Sequence, residues 1–137
     1  MYQALFDEFL TGKNTLRIYD SNTLIFTSDK CRLLPLVEYI DTLASHHQNV
    51  VIFDKIVGRA AALLLIKADC REVYSPLSSR LAIEVLEQHG IKHHLNQIVP
   101  CIQTPDNNMC PMEELSIGKE PEEFYNLIRS SPVKNHP

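Results

Sequence analysis

Leu5, Phe6, Phe9 and Leu10 recur at helical spacing and Gly12 follows them, which predicts an amphipathic helix over residues 2–11. Leu16 and Ile18, then Leu24-Ile25-Phe26, flank Asp20-Ser21-Asn22, the pattern of a β-hairpin. Residues 33–45 place Leu33, Leu34, Leu36, Val37, Ile40 and Leu43 on a second helix. Val50-Val51-Ile52-Phe53 is a continuous apolar run, as expected of a strand buried on both faces. Residues 58–68 are apolar nearly all round, which predicts an internal helix. Glu72-Val73-Tyr74 reads as a short strand. Ser78 or Ser79 caps a helix that runs to His89 and stops at Gly90. Residues 91–99 supply a last strand, and helices are expected at Pro111 and over 121–130.

This order of elements predicts an α/β fold: a three-layer α/β/α sandwich with a mixed sheet, because strand–helix–strand crossovers place helices on the sheet faces. An antiparallel hairpin at one edge followed by parallel strands matches the arrangement of cytidine deaminases, a match of topology. Residues 1–131 are expected to form one domain and 132–137 a flexible tail.

Composition narrows the function classes. The formal net charge is −4 and no long Lys/Arg cluster occurs, so general nucleic-acid binding by phosphate neutralisation is not expected. The longest apolar run, 60–66, lies between Arg59 and Lys67 and is too short to span a bilayer. Met1-Tyr2-Gln3-Ala4 lacks the basic start of a secretory signal. Cys31, Cys70, Cys101 and Cys110 form no tight pattern, and a domain of this size needs no disulfide, so a cytoplasmic location is the simpler expectation.

Met109-Cys110-Pro111-Met112-Glu113 carries the clearest chemistry. Proline suits the first helical position and excludes the residue before it from the α region, so Cys110 takes the capping position. A sulfur there faces unpaired amides and the positive end of the helix dipole, an environment that favours the thiolate. Glu113 falls three residues after the cap, within reach of the Cys110 amide, as a capping carboxylate or as an acid. An ordinary helix start explains the same residues.

A second cluster follows the central strand. In an α/β sheet, ligands bind beyond the carboxyl ends of the strands, and Asp54-Lys55-Ile56-Val57-Gly58-Arg59 stands there. Gly58 would admit a ligand to the backbone, Lys55 and Arg59 could neutralise an anion, and Asp54 could orient a hydroxyl or act as a base. Each also has a structural reading: Asp54 as a helix cap, the cations as solvated, Gly58 as a packing residue.

These two segments, with Ala82-Ile83-Glu84-Val85-Leu86-Glu87-Gln88-His89-Gly90-Ile91, resemble a bacterial and archaeal family of deaminase-like fold. It carries an Asp-Lys-x-x-Gly-Lys-Ala-Ala box and a Met-Cys-Pro-x-Glu box. The resemblance covers roughly residues 14 to 115 and implies a fold and candidate residues but no reaction. Arg59 departs from the family's usual lysine, a planar fork in place of a point charge. A zinc deaminase needs His-x-Glu or Cys-x-Glu on one helix and Pro-Cys-x-x-Cys on the next. Neither occurs, so no zinc and no other cofactor is expected. His89, His93 and His94 read as surface residues near a helix end, and Cys70 and Cys101 as inert.

Two functions fit. One is a cysteine-dependent enzyme acting on a small anionic or nucleotide-like substrate, with Cys110 as nucleophile, Lys55, Gly58 and Arg59 holding the ligand, and Asp54 or Glu113 moving protons. The other is a non-catalytic ligand-binding or redox-sensing domain in which Cys110 is reversibly oxidised. Both imply a small-molecule ligand and neither requires a membrane or nucleic acid. The oligomeric state stays open. The Asp54–Arg59 box and the Cys110 helix start are expected at one site, and bland capping of separate helices is the alternative.

Overall fold

The computed structural model describes residues 2–129, so the tail expected over 132–137 lies outside the described residues. α1 (Tyr2–Thr11) leads into a hairpin of β1 (Leu16–Asp20) and β2 (Thr23–Ser28), followed by α2 (Leu34–Thr42) and a 3-10 turn (Ala44–His46). Then come β3 (Val50–Asp54), β4 (Ile56–Val57), α3 (Arg59–Lys67), β5 (Cys70–Ser79), α4 (Arg80–Gln88) and β6 (Lys92–Val99). α5 (Pro111–Ser116) and α6 (Pro121–Arg129) complete the described chain.

β1 lies antiparallel between β2 and β3, while β3, β4 and β6 each pair with β5 in parallel. β6 occupies one side of β5 from Glu72 to Ser79, so β3 and β4 share the other side. Their register is continuous: Phe53 faces Tyr74 and Ile56 faces Leu77. β3 and β4 are therefore one line of strand, interrupted opposite Pro76. The β6 ladder skips the same level, pairing Ser75 with Leu95 and Leu77 with Gln97. Pairing lapses at this level on both sides, and proline offers no amide to the one neighbour its nitrogen would face. The short strand expected at 72–74 is thus ten residues long. Ser75-Pro76 resembles a stop, but pairing resumes at Leu77 with both neighbours and the strand continues.

Alternation along β3 assigns the two layers of helix. Val51 and Phe53 join Tyr19 and Tyr74 under Phe6 and Phe9 of α1. Val50 and Ile52 join Leu16, Ile18 and Val73 on the other face, under α2, α3, α4 and α6. The result is the expected three-layer α/β/α sandwich with a mixed sheet.

α3 lies at the centre of the thicker layer. Ala60 to Leu65 are all buried, and the helix touches α2, α4, α5 and α6. Three consecutive leucines within that stretch supply ~1.5–3 kcal/mol each by leaving water, and the alanines let neighbouring helices approach. Ser79 proves to be the α4 cap, accepting from the Ala82 amide at 3.1 Å, and Gly90 ends that helix with φ of 68°. Among the described residues no helix is long and apolar enough to cross a membrane.

Candidate functional site

The carboxyl ends of the parallel strands lead into the start of α3, the start of α4, and a loop over residues 100–110 that delivers α5. Asp54 closes β3 and is 8% exposed. Burial pushes its carboxyl pKa up to about 8, and the amides of Ile56 and Lys55 offset that only in part. Asp54 is not the cap of α3. Gly58 holds that position in extended backbone, with φ −88° and ψ −177°, and the helix begins at Arg59.

Glu113 organises the rim. Its side chain is 1% exposed, yet it does not turn back to Cys110, whose amide donates instead to Ile102 O at 2.8 Å. Glu113 crosses to α3: Oε1 accepts from the Arg59 amide, and Oε2 accepts from the Ile102 amide at 2.6 Å. A carboxylate at the first amide of a helix satisfies an orphan donor and meets the positive end of the dipole. The carboxylate presses on Gly58, where an added Cβ would lie 2.8 Å from Glu113 Oε1 and 2.9 Å from Ile102 Cγ1. Glycine here serves close approach; its backbone angles are open to any residue.

The two cations diverge. Arg59 turns toward the end of α5, donating from Nε to Ser116 O at 3.0 Å and from Nη2 to Lys119 O at 3.2 Å. Lys55 points the other way, with Nζ 3.2 Å from Gly12 O and 4.8 Å from the centre of the Phe9 ring. Each therefore completes carbonyls at the end of a helix, a common use of basic side chains. The structure brings Gly58, Arg59, Glu113 and the Cys110 helix start together. It sends Lys55 to α1, and the pair does not converge on one anion.

Cys110 caps α5 with φ −56° and ψ 131°, as Pro111 dictates, and is half-buried with no capping hydrogen bond from its side chain. Its loop is a compact hairpin. Gln103 bridges Met109, and the Thr104 amide donates to Asn108 O at 2.8 Å. Thr104 and Asn108 both donate to the Asp106 carboxylate. Of the other thiols, Cys31 is exposed, Cys101 half-buried and Cys70 buried, and burial pushes the Cys70 pKa up to about 12. Among the described residues no group of three or more His, Cys, Asp and Glu is placed to hold a metal ion.

His94 lies partly at the surface and is also engaged in the chain. Its Nε2 lies 2.6 Å from Glu72 Oε2, which also accepts from the Tyr74 hydroxyl at 3.2 Å, and its ring stacks on Tyr74. Burial opposes ionisation of Glu72, but the bonds from His94 and Tyr74 and the charges of His94 and Lys92 outweigh it and hold the carboxyl below its ordinary range. The alternation Glu72-x-Tyr74 was the available signal. Only the β5–β6 register shows that His94 joins it.

These features define an α/β/α domain whose ligand-edge rim is closed by an internal carboxylate. The chain belongs to the TM1506 family, a domain of unknown function (DUF1893), which matches residues 5–131. It is similar to the crystal structure of a DUF1893 family protein (TM1506) from Thermotoga maritima at 2.70 Å resolution. That likeness has a TM-score of 0.83 and 25% sequence identity, and covers 93% of this chain and 87% of the other. No curated protein matches the chain.

Proposed function

We propose that this chain is a thiol-responsive domain on a deaminase-like scaffold, with Cys110 as the responsive group. The observation that supports it most is the engagement of Glu113 and Arg59 within the chain. The first amide of α3 and the guanidinium beside it, which an anionic substrate would need, already have partners. The same bonds tie the Cys110 helix to the core, so a change at the sulfur is transmitted to α3. Oxidation by a peroxide would convert the thiol to a sulfenic acid; one thiol condenses with it to a mixed disulfide, releasing water, and a further thiol then displaces and restores Cys110. The deaminase-like assignment is supported by the antiparallel β1–β2 edge followed by parallel β3, β5 and β6. Its zinc-free character rests on the missing His-x-Glu and Cys-x-x-Cys spacings. A cytoplasmic location belongs to the same reading, since reversible thiol chemistry suits a reducing compartment.

The experiment compares wild type with Cys110→Ser after a limiting dose of hydrogen peroxide. Reversible oxidation in wild type, absent from the variant, is the expected result. Equal oxidation of both proteins would assign the response to another thiol and overturn the proposal.

A second reading, a cysteine-dependent enzyme, is favoured by Asp54. A buried acid with a pKa of about 8 at the ligand edge can give and take a proton near neutrality. Turnover of a small substrate, lost in both Cys110→Ser and Asp54→Asn, would select it. Turnover that survives either substitution would reject it.

A further inference from the structure

The Glu72–His94–Tyr74 cluster lies away from the Cys110 rim, and neither functional reading uses it. Tyr74 faces His94 directly across the parallel β5–β6 pair, and Glu72 faces Lys92. The Tyr74 and His94 rings stack with centroids 4.1 Å apart and planes 14° apart, which fixes the imidazole plane. With the buried Glu72 carboxylate accepting at Nε2, the neutral ring carries its proton there and its lone pair on Nδ1. Nδ1 has no hydrogen-bond partner among the described residues, and the side chain is 36% exposed. No other described histidine shares this arrangement: His89 and His93 direct Nδ1 to backbone carbonyls, and His47 directs it to Asp20. Cations flank the pair. The Arg71 guanidinium is 3.9 Å from Glu72 and half-exposed, and Lys92 stands across the ladder.

We propose that His94 Nδ1 is a phosphoryl-acceptor site, taking the group from a small donor with a labile phosphorus bond, of the phosphoramidate or acyl-phosphate class. A carboxylate behind an imidazole raises its basicity and fixes its direction, as it does for histidines that serve as bases or ligands. The Nδ1 lone pair forms a new P–N bond. The donor's own bond to phosphorus breaks, and its electron pair leaves with the departing group, ammonia in the case of zwitterionic phosphoramidate. The ring keeps its Nε2 proton, and Glu72 neutralises the charge that develops.

The test treats the full chain with phosphoramidate at neutral pH and follows intact mass, peptide mapping and phosphorus NMR. One acid-labile phosphoryl group on His94 Nδ1 is expected, absent from His94→Gln. Glu72→Gln should slow its formation roughly 10-fold or more. Tyr74→Phe, which keeps the stack and removes one bond to Glu72, should still be labelled and guards against a folding defect in the other variants. No adduct, labelling of His46, His89 or His93 at a comparable rate, or a Glu72→Gln rate equal to wild type would each overturn the assignment.

Discussion

Glu113→Ala should be among the most damaging single substitutions on the rim. It removes the acceptor for two amides, Arg59 and Ile102, from a position where water does not reach the carboxylate. Each buried amide left without a partner costs about 1–3 kcal/mol, so the total is roughly 2–6 kcal/mol. That is a large share of a domain stability of about 5–15 kcal/mol. Glu113→Gln keeps the shape but presents an NH2 where one oxygen accepted, so it should lose about half as much. The assay is urea unfolding followed by far-UV circular dichroism, since the chain has no tryptophan. With a urea slope of ~2 kcal/mol/M, the alanine variant's midpoint should fall by roughly 1–3 M. Glu114, one residue on and exposed, is the internal control and should shift stability by less than ~0.5 kcal/mol. If Glu113→Ala stays within that same band, the carboxylate does not hold α3, Ile102 and α5 together.

Asp54 gives the folded protein a pH dependence of known sign. Its folded pKa of about 8 is raised above the unfolded value, so its contribution is complete at low pH and is lost as pH rises through about 8. Between those limits Asp54→Asn should gain on wild type by up to ~1.4 kcal/mol per pH unit, and parallel stability profiles from pH 5 to 8 would refute the burial argument. Gly58→Ala should destabilise by about 1–3 kcal/mol through contact with Glu113 and Ile102. That loss should shrink in a Glu113→Ala background, and strict additivity would show that the two do not touch. A limiting dose of iodoacetamide should label Cys110 ahead of exposed Cys31 and leave buried Cys70 untouched. Peptide mapping that finds Cys31 or Cys101 labelled first would remove the case for an activated Cys110.

Local signals carried much of this fold. The spacing of Leu5, Phe6, Phe9 and Leu10 placed α1, the run 50–53 placed β3, and Pro111 placed both the start of α5 and Cys110 before it. Each depends on a few neighbouring residues. What stayed illegible depends on residues far apart in the chain. Glu113 bonds to Arg59 across fifty-four positions, and its spacing from Cys110 pointed to a nearer amide that Ile102 takes instead. Lys55 and Arg59 look like free cations in sequence, because the carbonyls of Gly12, Ser116 and Lys119 that engage them come near only when α1 and α5 are packed. The strand expected at 72–74 runs on through Pro76, a level that its two neighbours both skip. His94 became interpretable once the register set it opposite Tyr74.

The central claim is that Glu113 couples the Cys110 helix to the start of α3, and amide hydrogen exchange tests it most directly. The amides of Arg59 and Ile102 should be protected in the untreated protein, because both donate to a buried carboxylate. After Cys110 is alkylated, their exchange should speed together by roughly 10-fold or more, a loss of ~1.4 kcal/mol or more of local opening energy. The Ala82 amide, held by Ser79 at the start of α4, should keep its rate. Unchanged exchange at Arg59 and Ile102 in protein fully alkylated at Cys110 would contradict the account.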